Sequence, residues 1–155
     1  MTEPLPAPAP AVNPETEESW AAAAAGRLLL KRCLACGGVL WYPRAICPDC
    51  SSLDTEWFEA SGRGRVYSYT VNHRGEGAYT GSAPYVLAYV ELDEGPRMLT
   101  NIVDAGDEGL AVGLPVEVVF HDTGEGSALP RFRPAAPAAH AAPGAPAAPG
   151  AQATR

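Results

Sequence analysis

Cys33-Leu34-Ala35-Cys36-Gly37-Gly38 and Cys47-Pro48-Asp49-Cys50, with ten residues between Cys36 and Cys47, decide how this chain folds. Each Cys-x-x-Cys unit places two thiolates on one tight turn. The glycines after Cys36 let backbone amides face the sulfurs. Two such knuckles offer four sulfurs in a tetrahedral array about 2.3 Å from a zinc ion, with no position left for water or substrate. A filled shell makes a structural site, so Zn2+ held by Cys33, Cys36, Cys47 and Cys50 is the expected cofactor. Iron takes the same four-sulfur geometry and would make an electron carrier, a reading that the colour of the protein decides.

The segment around the knuckles is too short to bury a core unaided, and units of that size depend on metal or disulfides. The N-terminus, Met-Thr-Glu-Pro-Leu-Pro, lacks the charged and apolar regions of a signal peptide, and no apolar run approaches the roughly 20 residues that span a bilayer. A cytoplasmic location is therefore expected, where reducing conditions favour metal ligation over disulfides.

Outward from the cysteines, the chain divides into five stretches. Residues 1–13, with Pro4, Pro6, Pro8 and Pro10, read as an extended, disordered tail. Residues 14–26 read as a helix: Asn13 and Pro14 supply a cap and a first-turn proline, Glu15, Glu17 and Glu18 suit the positive end of the dipole, and Gly26 stops it in a left-handed cap. Trp20 is its docking residue. Residues 27–60 form the ribbon, in which Val39-Leu40-Trp41-Tyr42 reads as a short strand. Trp41, Tyr42, Trp57 and Phe58 are expected to pack ribbon against barrel.

Ser61-Gly62-Arg63-Gly64 marks the boundary to residues 61–134, which read as all-β. Strands are expected over Arg65–Val71, Tyr85–Leu92, Arg97–Val103 and Pro115–His121, with Asp93-Glu94-Gly95-Pro96 as a hairpin turn. Short strands leave exposed edges in an open sheet, and a five-stranded barrel removes them. Residues 135–155, rich in alanine, proline and glycine, read as a second disordered tail. The expected fold is thus mainly β: N-terminal helix, rubredoxin-like zinc ribbon, OB-fold barrel.

Charge narrows the function. Eleven Lys and Arg against 18 Asp and Glu leave a net charge of −7. The first 26 residues carry only acidic side chains, residues 27–77 are slightly basic, and residues 78–133 are strongly acidic. Long nucleic acid gains affinity by phosphate neutralisation, which an acidic chain opposes. It is an unexpected partner, although zinc ribbons and OB barrels each serve as nucleic-acid modules elsewhere. A small phosphorylated ligand beside the basic half is compatible with the pattern. Arg63, Arg65, His73 and Arg74 are the candidate contacts for a ligand or partner. No Ser-His-Asp or Cys-His arrangement involving His73, His121 or His140 can be argued, so no catalytic residue is assigned.

The blocks Leu28–Arg32, Tyr42-Pro43-Arg44, Ser61–Val71, Pro84–Gly95, Val112–Phe120 and Leu129–Pro134, taken with the two knuckles and Trp20, resemble the zinc-ribbon OB-fold proteins of acyl-CoA metabolism, long catalogued as a domain of unknown function. The resemblance covers nearly all of the foldable chain. It implies a noncatalytic accessory subunit of a thiolase-like enzyme, either a thiolase or a lipid-transfer-protein-like aldolase of steroid or lipid degradation, with acyl-CoA hydratases as further partners. Coenzyme A thioesters are then the substrate class, and the chemistry lies on the partner chain.

Overall fold

In a computed structural model describing residues 5–106 and 109–136, the chain forms one helix, a three-stranded ribbon and a closed five-stranded barrel. The helix α1 (Glu17–Ala24) begins later than Asn13 suggests. Asn13 instead organises a turn ahead of it, its Oδ1 accepting from the Glu15 and Thr16 amides at 3.0 and 3.2 Å. The C-terminal stop is as expected. Gly26 sits at φ +75, and the amides of Gly26 and Arg27 return to the carbonyls of Ala23 and Ala22, which satisfies the free end of the helix. Trp20, Ala22 and Ala23 are buried, so the helix is docked. A helix this short would otherwise fray.

The ribbon consists of β1 (Leu29–Cys33), β2 (Val39–Leu40) and β3 (Thr55–Glu59) in the order β2-β1-β3, all antiparallel. Strand β2 is half as long as the sequence suggested, and Trp41 and Tyr42 lie beyond it. Trp57 and Phe58, expected at the junction of ribbon and barrel, lie in β3, paired with Lys31 and Leu30.

The barrel strands are β4 (Arg63–Asn72), β5 (Tyr85–Leu92), β6 (Arg97–Ile102), β7 (Pro115–Asp122) and β8 (Ala128–Pro134), closing in the order β4-β5-β6-β8-β7. The first four fall within two residues of the expected positions. The closing strand β8 was legible only as a resemblance, because Pro130 and Pro134 argue against an interior strand. It is accommodated at a short seam. Strands β6 and β8 share one parallel bridge, Ile102 to Phe132, and the Thr100 hydroxyl donates to the Pro130 carbonyl at 3.0 Å. Gly64 is no turn residue but the second position of β4, where a Cβ would collide with the Glu91 carbonyl of β5.

Ribbon and barrel share one core. Leu28 and Leu30 cluster with Val66, Val90, Met98, Ile102, Val116 and Phe132 from the barrel, and Trp41 and Phe58 pack against the same cluster. Tyr42 and Trp57 do not join that junction. Tyr42 meets Trp41 and Trp20 at 5.4 and 6.3 Å between ring centroids, and the Lys31 ammonium lies 4.7 Å over Trp57. The expected tail at 1–13 has no regular secondary structure over residues 5–13 but is not free, since the Leu5 and Pro6 carbonyls accept from Arg131. Residues 1–4 and 137–155, including His140 and most of the second expected tail, lie outside the described residues.

Candidate metal centre and family

Cys33 ends β1, Cys36 follows on the first turn, and Cys47 and Cys50 sit on the second. The two turns share one backbone design. In the first, the Cys33 amide donates to the Gly38 carbonyl at 2.8 Å and the Gly37 amide returns to the Cys33 carbonyl at 2.8 Å. In the second, Cys47 donates to Ser52 at 2.9 Å and Ser51 returns to Cys47 at 2.9 Å. The fifth residue of each turn is left-handed: Gly37 at φ +75, Ser51 at φ +60. Glycine takes that conformation without strain, whereas serine carries a Cβ into it.

The four sulfurs converge. Cys33 and Cys50 are 3.5 Å apart, Cys36 and Cys47 are 3.7 Å apart, and all four lie within 4.8 Å of one another. These separations are too long for disulfides. A tetrahedron of sulfurs about 2.3 Å from a central ion has an edge of about 3.8 Å, so the set fits one zinc. The ordinary thiol pKa of 9.0 is split across the cluster. Cys33 falls to about 7, chiefly because the Cys36 backbone amide faces its sulfur against the cost of burial. Cys50 is pushed up to about 12: the Ser52 amide favours its thiolate, but the neighbouring Cys33 and Cys36 sulfurs and burial outweigh it. Cys36 also rises, because the Cys33 and Cys47 sulfurs and burial overcome the help of the Gly38 amide and Cys50. Crowded thiolates repel, and a dication at their centre removes that repulsion.

The other sequence candidates do not converge. Arg63 and Arg65 face outward at the start of β4, with Arg65 Nη1 donating to the Gly113 carbonyl at 3.3 Å. His73 and Arg74 are exposed beyond the far end of that strand. At about 3.3 Å per residue, His73 lies about 25 Å along the strand from Arg65, too far for one small anion to touch both pairs.

A polar cluster at Arg131, His121, Tyr79 and Asn101 was not anticipated. Arg131 and Asn101 are buried, and Arg131 Nη1 lies 3.2 Å from His121 Nδ1. Burial pushes the His121 pKa below its usual 6.5, and the Arg131 charge adds to this against the opposing pull of Asp104. The ring is therefore neutral at pH 7, and Nδ1 accepts. Alternation in Leu129–Arg133 places Arg131 and Arg133 on the same face of β8, yet one is buried and the other exposed. Nothing in the strand's own sequence separates them.

A ribbon with four converging sulfurs that could hold a metal ion, joined through a shared core to an OB-type barrel, defines a two-module scaffold. Two family models match it in tandem: the ChsH2 rubredoxin-like zinc ribbon domain over residues 20–56 and the ChsH2 C-terminal OB-fold domain over residues 57–121. Their border falls inside β3, whose last residues carry Phe58 into the shared core. The chain is 40% identical over 131 residues to a probable enoyl-CoA hydratase alpha subunit of Thermomonospora curvata, covering 84% of this chain and 40% of that protein. It is 40% identical over 95 residues to a DUF35 domain-containing scaffold protein of Methanothermobacter thermautotrophicus, covering 61% of this chain and 71% of that one. Among solved structures it matches a chain of the Ltp2-ChsH2(DUF35) aldolase with a TM-score of 0.72 and 38% identity, over 81% of this chain and 98% of that chain. The chain belongs to the DUF35 family of ChsH2-type zinc-ribbon OB-fold proteins. It spans less than half the length of the hydratase subunit it matches. Among the described residues, no helix is long and apolar enough to cross a membrane.

Proposed function

We propose that the chain is a noncatalytic accessory subunit of a thiolase-like aldolase or thiolase that acts on coenzyme A thioesters. The reading rests chiefly on the match to the DUF35 chain of the Ltp2-ChsH2 aldolase, which runs over nearly the whole length of that chain. The likeness to a hydratase alpha subunit supports acyl-CoA chemistry and makes a hydratase a second candidate partner. Steroid or lipid degradation in the cytoplasm is the setting this reading favours.

In this reading Cys33, Cys36, Cys47 and Cys50 hold one zinc ion, which supplies folding energy and offers no open coordination position. Catalysis then belongs to the partner. The chain's own contribution is the surface that ribbon and barrel hold in place, with Arg63 and Arg65 at one end of β4 and His73 and Arg74 at the other as separate contacts.

Co-expression with a thiolase-like protein encoded beside it is the test. Expected is a complex that survives size exclusion, with one zinc per copy of this chain and aldol or thiolytic cleavage of an acyl-CoA that neither chain performs alone. Two chains that elute separately, each with unchanged activity, sink the proposal.

A further inference from the structure

Arg131 is 1% exposed, although its place in β8 turns it away from the barrel interior. Its neighbour Phe132 fills the core, and successive strand residues face opposite ways. What covers Arg131 is chain from elsewhere. Its Nη1 donates to the Leu5 carbonyl at 3.0 Å and contacts His121 Nδ1. Its Nη2 donates to the Pro6 carbonyl and, at 3.3 Å, to the Tyr79 hydroxyl. That hydroxyl lies 3.4 Å from Asn101 Oδ1, and the Asn101 amide is anchored at 3.0 Å on the Val86 carbonyl. Tyr79 is delivered by the short helical turn Gly77–Tyr79, and its ring packs 5.1 Å from that of Tyr85.

The bonding is incomplete in a specific way. Arg131 Nε is buried without a partner, and among the described residues no carboxylate lies within ion-pair distance of the guanidinium. Asp104 acts on the His121 side of the cluster. Arginine cannot escape by losing its proton, and a charge buried without a counter-ion is costly. Neutral carbonyls are a weak match for a planar fork that fits carboxylate or phosphate in two parallel bonds. Leu5 and Pro6 belong to a strap, residues 5–13, that has no regular secondary structure and meets the barrel at Arg131. Its retreat would leave Tyr79, Asn101 and His121 in place, because each is fixed by its own element.

We infer that the Arg131 guanidinium, positioned by His121 Nδ1 and by the Tyr79 hydroxyl that Asn101 holds in turn, is an oxyanion-binding site, and that Leu5–Pro6 is a resident cover which a carboxylate or phosphate displaces. The inference stands on the barrel's own geometry and does not depend on which enzyme the chain accompanies.

The full-length, zinc-loaded chain is titrated with inorganic phosphate and separately with acetate, at an ionic strength held constant with chloride. The Arg131 Nε–H and the Leu5 and Ala7 amides are followed by NMR. Expected is a saturable shift of the Arg131 signal, with the Leu5 and Ala7 amides moving together to free-chain positions. A response to phosphate alone assigns a phosphoryl ligand, and a response to acetate assigns a carboxylate. No shift, a shift that chloride reproduces, or an Arg131 shift with the strap amides unmoved overturns the proposal. In R131K, which keeps the charge and loses the fork, saturation is expected to need at least tenfold more anion. Unchanged affinity in that variant also overturns it.

Discussion

In the ribbon, the buried cluster separate from the shared core is Cys33, Leu40 and Cys47, so two of its three members belong to the four-sulfur site. In the barrel, Val66, Val90, Met98, Ile102, Val116 and Phe132 make a carbon core with no titratable group in it. One module is therefore held from a single central point and the other by distributed contact. Two consequences differ. Removing a ligand leaves the ribbon little to fall back on, whereas removing one barrel side chain opens a local cavity. The modules are also not independent, because Leu28 and Leu30 leave the ribbon to complete the barrel.

The largest expected effect breaks the ribbon. Apparent zinc affinities in finger peptides are about 10–16 kcal/mol, more than a small module's whole stability. Cys33→Ser should abolish zinc binding by elemental analysis and erase the amide dispersion of residues 29–59. A variant that still holds one zinc per chain with the ribbon signals intact would contradict the four-sulfur site.

Next comes the shared core. Phe132→Ala and Leu30→Ala remove fully buried side chains, for which losses of about 3–5 and about 2–5 kcal/mol are typical. Both should lower the denaturant midpoint of the barrel while zinc content stays the same. If Leu30→Ala leaves the barrel midpoint unchanged, the two modules have separate cores and the comparison sharpens into independence.

A smaller effect separates the two knuckles. Ser51 holds the left-handed position that Gly37 fills in the first turn, so Ser51→Gly should stabilise the ribbon by at most about 1 kcal/mol. A chelator competition would show zinc held slightly more tightly. Weaker holding would mean that the serine side chain has a role the backbone geometry does not account for.

The smallest effect belongs to the barrel's polar rim. His121 has a folded-state pKa below 6.5, so the unfolded chain takes up its proton first and stability falls as pH drops through that value. Barrel stability measured between pH 7 and pH 6 should decline slightly. His121→Gln should flatten the slope, with zinc content constant over the same window. An equal slope in both proteins would assign the pH dependence to another group.

How much was legible beforehand follows the range of the forces involved. The knuckles, the Gly26 stop and strands β4 to β7 depend on spacing and local conformational preference, which a sequence displays directly. Asn13 was read as a helix cap because its side chain does accept backbone amides, but the turn it closes lies one step earlier than the helix. Strand β8 was obscured by Pro130 and Pro134, whose local preference is overridden by a seam with few ladder bonds and by the Thr100 hydroxyl. The four basic and histidine candidates shared a charge pattern, and a long strand holds them apart.

By itself, then, the sequence determined the four-cysteine pattern and the order of the modules. Four thiols at that spacing have few uses other than metal binding, and alternation announces strands wherever one face is buried. Only the tertiary structure decided that Leu28 and Leu30 serve the barrel, that Trp57 does not, and that Arg131 lies beneath the carbonyls of Leu5 and Pro6. Those outcomes depend on contacts between residues distant along the chain, up to 126 positions in the case of Arg131 and Leu5, and no local pattern encodes which remote segment will cover a given side chain.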